Sequence, residues 1–79
     1  MSAPGTRPLI SDRLERLVEE MVQAGVRFED AVREFEKRFI ARTLGQHEGS
    51  LTRTADALGV HRNTLTRKIA EYRIRRRPL

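Results

Sequence analysis

Six polar side chains crowd one short stretch of this chain. His61, Arg62, Asn63, Thr64, Arg67 and Lys68 fall close together, and no acidic residue occurs from Val60 to Ala70. Arg can bond guanine O6 and N7 together, and Asn can do the same with adenine N6 and N7. If the stretch is helical, Leu65 and Ile69 turn inward, while Asn63, Thr66, Arg67 and Ala70 turn outward at about 100° per residue. Asn63 and Arg67 then stand side by side at i, i+4. Thr52, Arg53, Thr64 and Lys68 lie on the flanks, where hydroxyls and ammonium groups suit phosphate oxygens. The alternative for the same residues is a merely solvated helix face; a cluster of Arg, Lys, Asn and Thr without one carboxylate argues against it.

Such side chains need elements to hold them. Ala55, then Gly59 four residues later, then Val60, with Leu65 and Ile69 behind, is the spacing of two short helices joined by a glycine turn. Ser50 or Thr52 can cap the first of these, which ends at Leu58. The second starts around His61–Asn63, with Leu65, Ile69 and Tyr72 as its apolar positions. Upstream, Asp12 and Glu15 form a D-x-x-E capping pattern that predicts a helix start. Leu14, Leu17, Val18, Met21 and Val22 follow at i, i+3, i+4, i+7, i+8, and Gly25 predicts a left-handed terminator. A further helix is expected from Arg27–Glu29 to Leu44 or Gly45. Its seam is Phe28, Val32, Phe35 and Phe39, flanked by Ala31, Ile40 and Leu44. Glu36 falls near that stripe, which predicts an ion pair or a partly exposed edge position. Gln46–Ser50 reads as a loop, and no strand pattern or internal repeat occurs. The expected fold is all-α: a four-helix subunit with two N-terminal dimerisation helices and a C-terminal helix-turn-helix. The expected regions are a flexible leader (1–10, with Pro4, Gly5 and Pro8), a helical dimerisation region (11–48), a helix-turn-helix region (49–74) and a basic tail (75–79).

Charge divides along the same line. Residues 1–48 carry 8 Lys+Arg against 9 Asp+Glu, a net of −1, and residues 49–79 carry 8 against 2, a net of +6. The basic half is the one expected to face a polyanion, either nucleic acid or an anionic membrane surface. The fourth helix lacks the bulky apolar face that membrane-surface helices insert, and no apolar run approaches the ~20 residues needed to span a bilayer. With 79 residues and no Cys, the chain has little core and no disulfide to supplement it, so oligomerisation is the expected source of stability. His47 and His61 are too far apart for a local metal pair, and no glycine-rich phosphate loop or nucleophile–base set occurs. An enzyme is therefore not expected, nor a metal, a cofactor or a small-molecule substrate. A helical protein-interaction module with a non-specific, RNA-binding basic tail is the alternative to a DNA-binding protein.

The stretch from Phe35 to Ile74, FEKRFIARTLGQHEGSLTRTADALGVHRNTLTRKIAEYRI, resembles the Fis family of bacterial helix-turn-helix domains. Its most specific parts are Leu58-Gly59-Val60 and the run Arg62-Asn63-Thr64-Leu65-Thr66-Arg67-Lys68; the Gly49–Thr52 turn and the Phe35-Glu36 start also fit. The resemblance implies a homodimer on double-stranded DNA, with intertwined N-terminal helices and one recognition helix per subunit. Leu14, Leu17, Val18, Met21, Val32, Phe35 and Phe39 would form the dimer contacts. Arg62 would read a guanine, His61 would lie at a base-contacting position, and Arg67 would meet bases or backbone. Thr52, Thr64 and Lys68 would hold phosphates, and Ser50 stands where the family's nucleoid protein has a DNA-touching Asn. At His61 and Thr66 this sequence has neither the Asn nor the Arg of that protein. Recognition helices set closer than one turn of DNA would bend the duplex, favouring A·T-rich centres. A cytoplasmic, nucleoid-associated transcriptional regulator is the resulting expectation, free-standing in view of the initiating Met1.

Overall fold

The computed structural model describes residues 8–75. Among the described residues four helices follow one another: α1 (Pro8–Gln23), α2 (Phe28–Gln46), α3 (Leu51–Leu58) and α4 (Arg62–Tyr72). No strand occurs among the described residues, so the fold is all-α. The chain divides into two units, residues 1–31 and 32–79, with the boundary just after the first turn of α2.

The first unit contains α1. The helix opens at Pro8, one turn ahead of the start that the Asp12 and Glu15 pattern predicts. Proline has no N–H to leave unpaired at a first helical position, and Leu9 and Ile10 carry the helix on into the apolar repeat. Asp12 and Glu15 therefore lie within the helix and not at its mouth. Of the leader expected over residues 1–10, the part from Pro8 onward is helical; residues 1–7 lie outside the described residues, as do residues 76–79 of the tail. The helix ends at Gly25, as expected, with φ +79. The Gly25 N–H donates to the Val22 carbonyl (3.1 Å) and the Val26 N–H to the Met21 carbonyl (3.0 Å). This is the paired-bond Schellman ending that a left-handed residue permits.

The second unit holds the core. Ile40 and Leu44 of α2 pack with Ala55 of α3 and with Leu65 and Ile69 of α4, and Leu51, Leu58, Tyr72 and Ile74 close around them. Leu44 and Leu65 are almost completely buried, and burying a side chain of this size contributes about 1.5–3 kcal/mol. The buried side of α2 is thus the pair that flanks its aromatic seam. Phe28, Val32, Phe35 and Phe39 are exposed. The inward faces of α3 and α4 offer Ala55, Leu65 and Ile69, a surface that two aliphatic side chains already fill. Phe35 and Phe39 instead lie against each other, ring centroids 5.3 Å apart. Thr54 is fully buried, with no hydrogen-bond partner for its hydroxyl.

The remaining helix ends repeat one device. Ser50, not Thr52, caps α3: its Oγ accepts the Arg53 N–H at 3.3 Å. The helix closes at Gly59 (φ +74), whose N–H donates to the Ala55 carbonyl at 2.9 Å, and the Val60 N–H joins it at 3.1 Å. At the end of α2 Glu48 (φ 55) and then Gly49 (φ 83) are left-handed, and at the end of α4 Arg73 (φ 55) is. The Gly49 N–H donates to the Leu44 carbonyl and the Ile74 N–H to the Ile69 carbonyl, both at 3.0 Å. Only Gly59, Val60 and His61 separate α3 from α4.

A Cβ on Gly59 would meet no heavy atom within 4 Å, so the backbone alone decides the effect of adding one. Gly59→Ala should cost about 1–2 kcal/mol, the penalty of an L-residue in the left-handed region. In urea unfolding this appears as a lower midpoint at unchanged slope.

Candidate nucleic-acid interface

The fourth helix begins with a side-chain cap. Nδ1 of His61 accepts the Asn63 N–H at 3.0 Å. With Nδ1 an acceptor, the ring proton lies on Nε2, leaving one donor directed away from the cap. Such a donor matches the acceptor atoms that base pairs present in the major groove. Arg62, Asn63, Thr66, Arg67 and Ala70 are all exposed, while Leu65 and Ile69 are buried. The face that helical spacing turns outward is therefore outward, and its base-reading candidates stand on one side of one helix. Thr66 uses its hydroxyl locally, donating to the Arg62 carbonyl at 3.0 Å.

The phosphate candidates divide into three groups. Thr52 and Arg53 are exposed on the first turn of α3, and Thr64 is half-buried near the start of α4. Ser50 is half-buried and spends its Oγ on the α3 cap. Lys68 is engaged elsewhere: its Nζ donates to Glu36 Oε1 at 2.9 Å. The Tyr72 hydroxyl donates to the same oxygen at 2.5 Å. An ion pair for Glu36 is thus found, and it bridges residues 32 positions apart. Patterning shows that Glu36 needs a partner but not that the partner is Lys68.

Two further residues join this cluster without any sequence signal. The Arg33 guanidinium lies 5.5 Å from the centre of the Tyr72 ring and the Lys68 ammonium 5.9 Å from it, both within cation–π range. Arg33 also approaches Glu71 at 3.5 Å, an exposed pair that contributes little by itself. The Glu36 carboxyl is held below its ordinary value, chiefly by the Tyr72 hydrogen bond and then by that from Lys68, against the opposing effect of burial. Tyr72 is pushed up from 10.0 to about 12, first by its bond to the Glu36 carboxylate and then by burial.

Two short helices, a first helix closed by glycine, a three-residue turn and an exposed polar face on the second define a helix-turn-helix protein. The family model for bacterial regulatory proteins of the Fis family matches residues 31–72. The chain belongs to that family of helix-turn-helix DNA-binding regulators. The match takes in α2 from Ala31 onward, α3 and α4, and α1 precedes it. No curated protein and no solved structure shows significant similarity to the chain. Among the described residues, no helix is long and apolar enough to cross a membrane.

The titration of this cluster has a definite sign. Glu36 binds its proton more weakly in the folded chain, so its stabilisation is present above the ordinary carboxylate range and is lost as pH falls through the lowered value. Tyr72 holds its proton more tightly when folded, so its contribution is complete below pH 10.0 and is lost as pH rises toward about 12. Tyr72 is the only tyrosine and there is no tryptophan, so tyrosinate absorbance reports this group alone. Its midpoint should lie near 12 in the native chain and return toward 10.0 in Glu36→Gln.

Proposed function

We propose that the protein is a homodimeric, Fis-like bacterial DNA-binding regulator that sets α4 of each subunit in the major groove and bends the duplex. The observation that carries this reading is the exposed face of α4, where Arg62, Asn63 and Arg67 stand together with no carboxylate from Val60 to Ala70. In this reading Arg62 reads a guanine, His61 and Asn63 meet base edges, and Arg67 contacts bases or backbone. Thr52, Arg53 and Thr64 hold phosphates beside them, and Ser50 supports the same surface through the cap of α3. Residues 49–74 form the DNA-binding region and the basic tail from Arg75 adds general affinity. Transcriptional control and association with the nucleoid follow from such binding. Bending is supported by membership of the family, and it would make A·T-rich, deformable centres the preferred sites.

Dimerisation is supported by what the chain leaves uncovered. Leu14, Leu17 and Val18 of α1 and Val32, Phe35 and Phe39 of α2 are exposed, and Met21 is only half-buried. Phe35 and Phe39 keep 57% and 51% of their surface accessible, although soluble monomers rarely leave such apolar groups clustered in water. Pairing residues 11–48 of two chains would cover them. That half carries a net charge of only −1, from 8 Lys+Arg against 9 Asp+Glu, so two copies approach without strong repulsion.

Duplex binding should weaken steeply with salt, because each neutralised phosphate adds about 0.9 to the log–log slope. Arg62→Ala should cost about 1–3 kcal/mol on a specific site, the worth of one bidentate base contact. No duplex affinity at low salt, or equal affinity for single-stranded RNA, would overturn this reading. Light scattering should give a mass twice that of the chain, and Phe39→Glu should return it to one chain with its helix content largely kept, since Phe39 lies outside the buried core.

A further inference from the structure

We propose that Glu36 withholds Lys68 from the phosphate backbone, so that this carboxylate acts as a built-in brake on DNA affinity. The inference rests on the DNA-binding reading of α4 and concerns how that surface is tuned. Three cations belong to α4: Arg62, Arg67 and Lys68. Among the described residues, no carboxylate lies within ion-pair distance of Arg62 or Arg67, whereas Lys68 has one at 2.9 Å.

The Lys68 pair is no ordinary surface contact. Its side chains keep only 29% and 34% of their surface, so solvent screens the attraction less than at an exposed pair. The Tyr72 hydroxyl donates to the same Glu36 oxygen, and the ring of Tyr72 lies 5.9 Å from the Lys68 ammonium. Three groups on two helices therefore hold one another. To reach a phosphate, Lys68 must leave both the carboxylate and the ring. That departure would strip Glu36 of its counter-charge on the flank of a helix facing a polyanion, which opposes binding twice. Lys68 has the residue type of a phosphate contact but serves as a positioning residue, tying α4 to α2. Removing the charge of Glu36 would free the ammonium, whose flexible four-carbon stem lets it swing outward.

The test uses the full chain and one duplex over a salt series, with far-ultraviolet circular dichroism to establish that each variant is folded. Lys68→Gln should leave the slope of log affinity against log salt unchanged. Glu36→Gln should steepen it by about 0.9 per subunit and tighten binding at low salt. Glu36→Gln with Lys68→Gln should restore the native slope. Glu34→Gln makes the same charge change on an exposed position of α2 and should not steepen it. A slope shallower by about 0.9 in Lys68→Gln alone would overturn the proposal, because Lys68 would then be holding a phosphate. So would an unchanged slope in Glu36→Gln, or a double variant that keeps the steepening. If Glu36→Gln does not fold, Lys68→Gln still decides between the two roles. A native chain without duplex affinity overturns the functional reading itself, a result separate from any of these slopes.

Discussion

One carboxylate oxygen, Oε1 of Glu36, joins the long helix α2 to the helix that carries the exposed cations. It receives the Lys68 ammonium and the Tyr72 hydroxyl together, and the setting of α4 against α2 depends on that junction. The apolar core beneath is small, five buried side chains from three helices, and dispersion alone sets helix angles loosely. Polar bonds at fixed distances add direction to that packing. They also explain a compromise in charge: a cation is spent inside the fold on a helix whose remaining cations face outward.

Helix ends supply the second constraint. All four helices close through the same pair of bonds around a left-handed residue, Gly25, Glu48, Gly59 and Arg73 in turn. Between α3 and α4 the Gly59 ending and the His61 cap nearly touch, so the two helices are joined by the shortest connection in the chain. A short connection leaves little freedom in where α4 starts. The polar residues at its N-terminal end are presented together because the turn before them is so tightly specified.

Much of this was legible in the sequence, and the exceptions share a cause. Local signals succeeded: Ser50 and Gly59 bound α3, Leu65 and Ile69 turn inward, and the all-α class follows from apolar spacing. The start of α1 lies a turn before the one spacing predicts, because a capping pattern at Asp12 and Glu15 competes with a proline start at Pro8 and spacing does not rank them. The inward face of α2 was harder still. Phe28, Val32, Phe35 and Phe39 make a better stripe than Ile40 and Leu44, yet the smaller pair is buried because it meets α3 and α4. Which of two apolar faces meets a neighbour is a tertiary fact. The same holds for Lys68, whose type suits a phosphate and whose partner lies in a distant helix. The left-handed endings at Glu48 and Arg73 left no trace, since neither residue type marks such a position.

The seam on α2 and the carboxylate that holds α4 have a mechanical relation. Phe35 and Glu36 are consecutive residues, and consecutive residues on a helix differ by about 100° around its axis. Whatever grips the phenylalanine rings therefore sets the rotational phase of α2, and Glu36 passes that phase to α4. In the proposed assembly built on those rings, the helix would behave as a camshaft: one side of the linkage apolar and covered, the other charged and open to a ligand. In the proposed dimer, the separation of the two α4 helices would then be a matter of angular setting along a single rod, adjustable by reshaping rings that never approach the ligand.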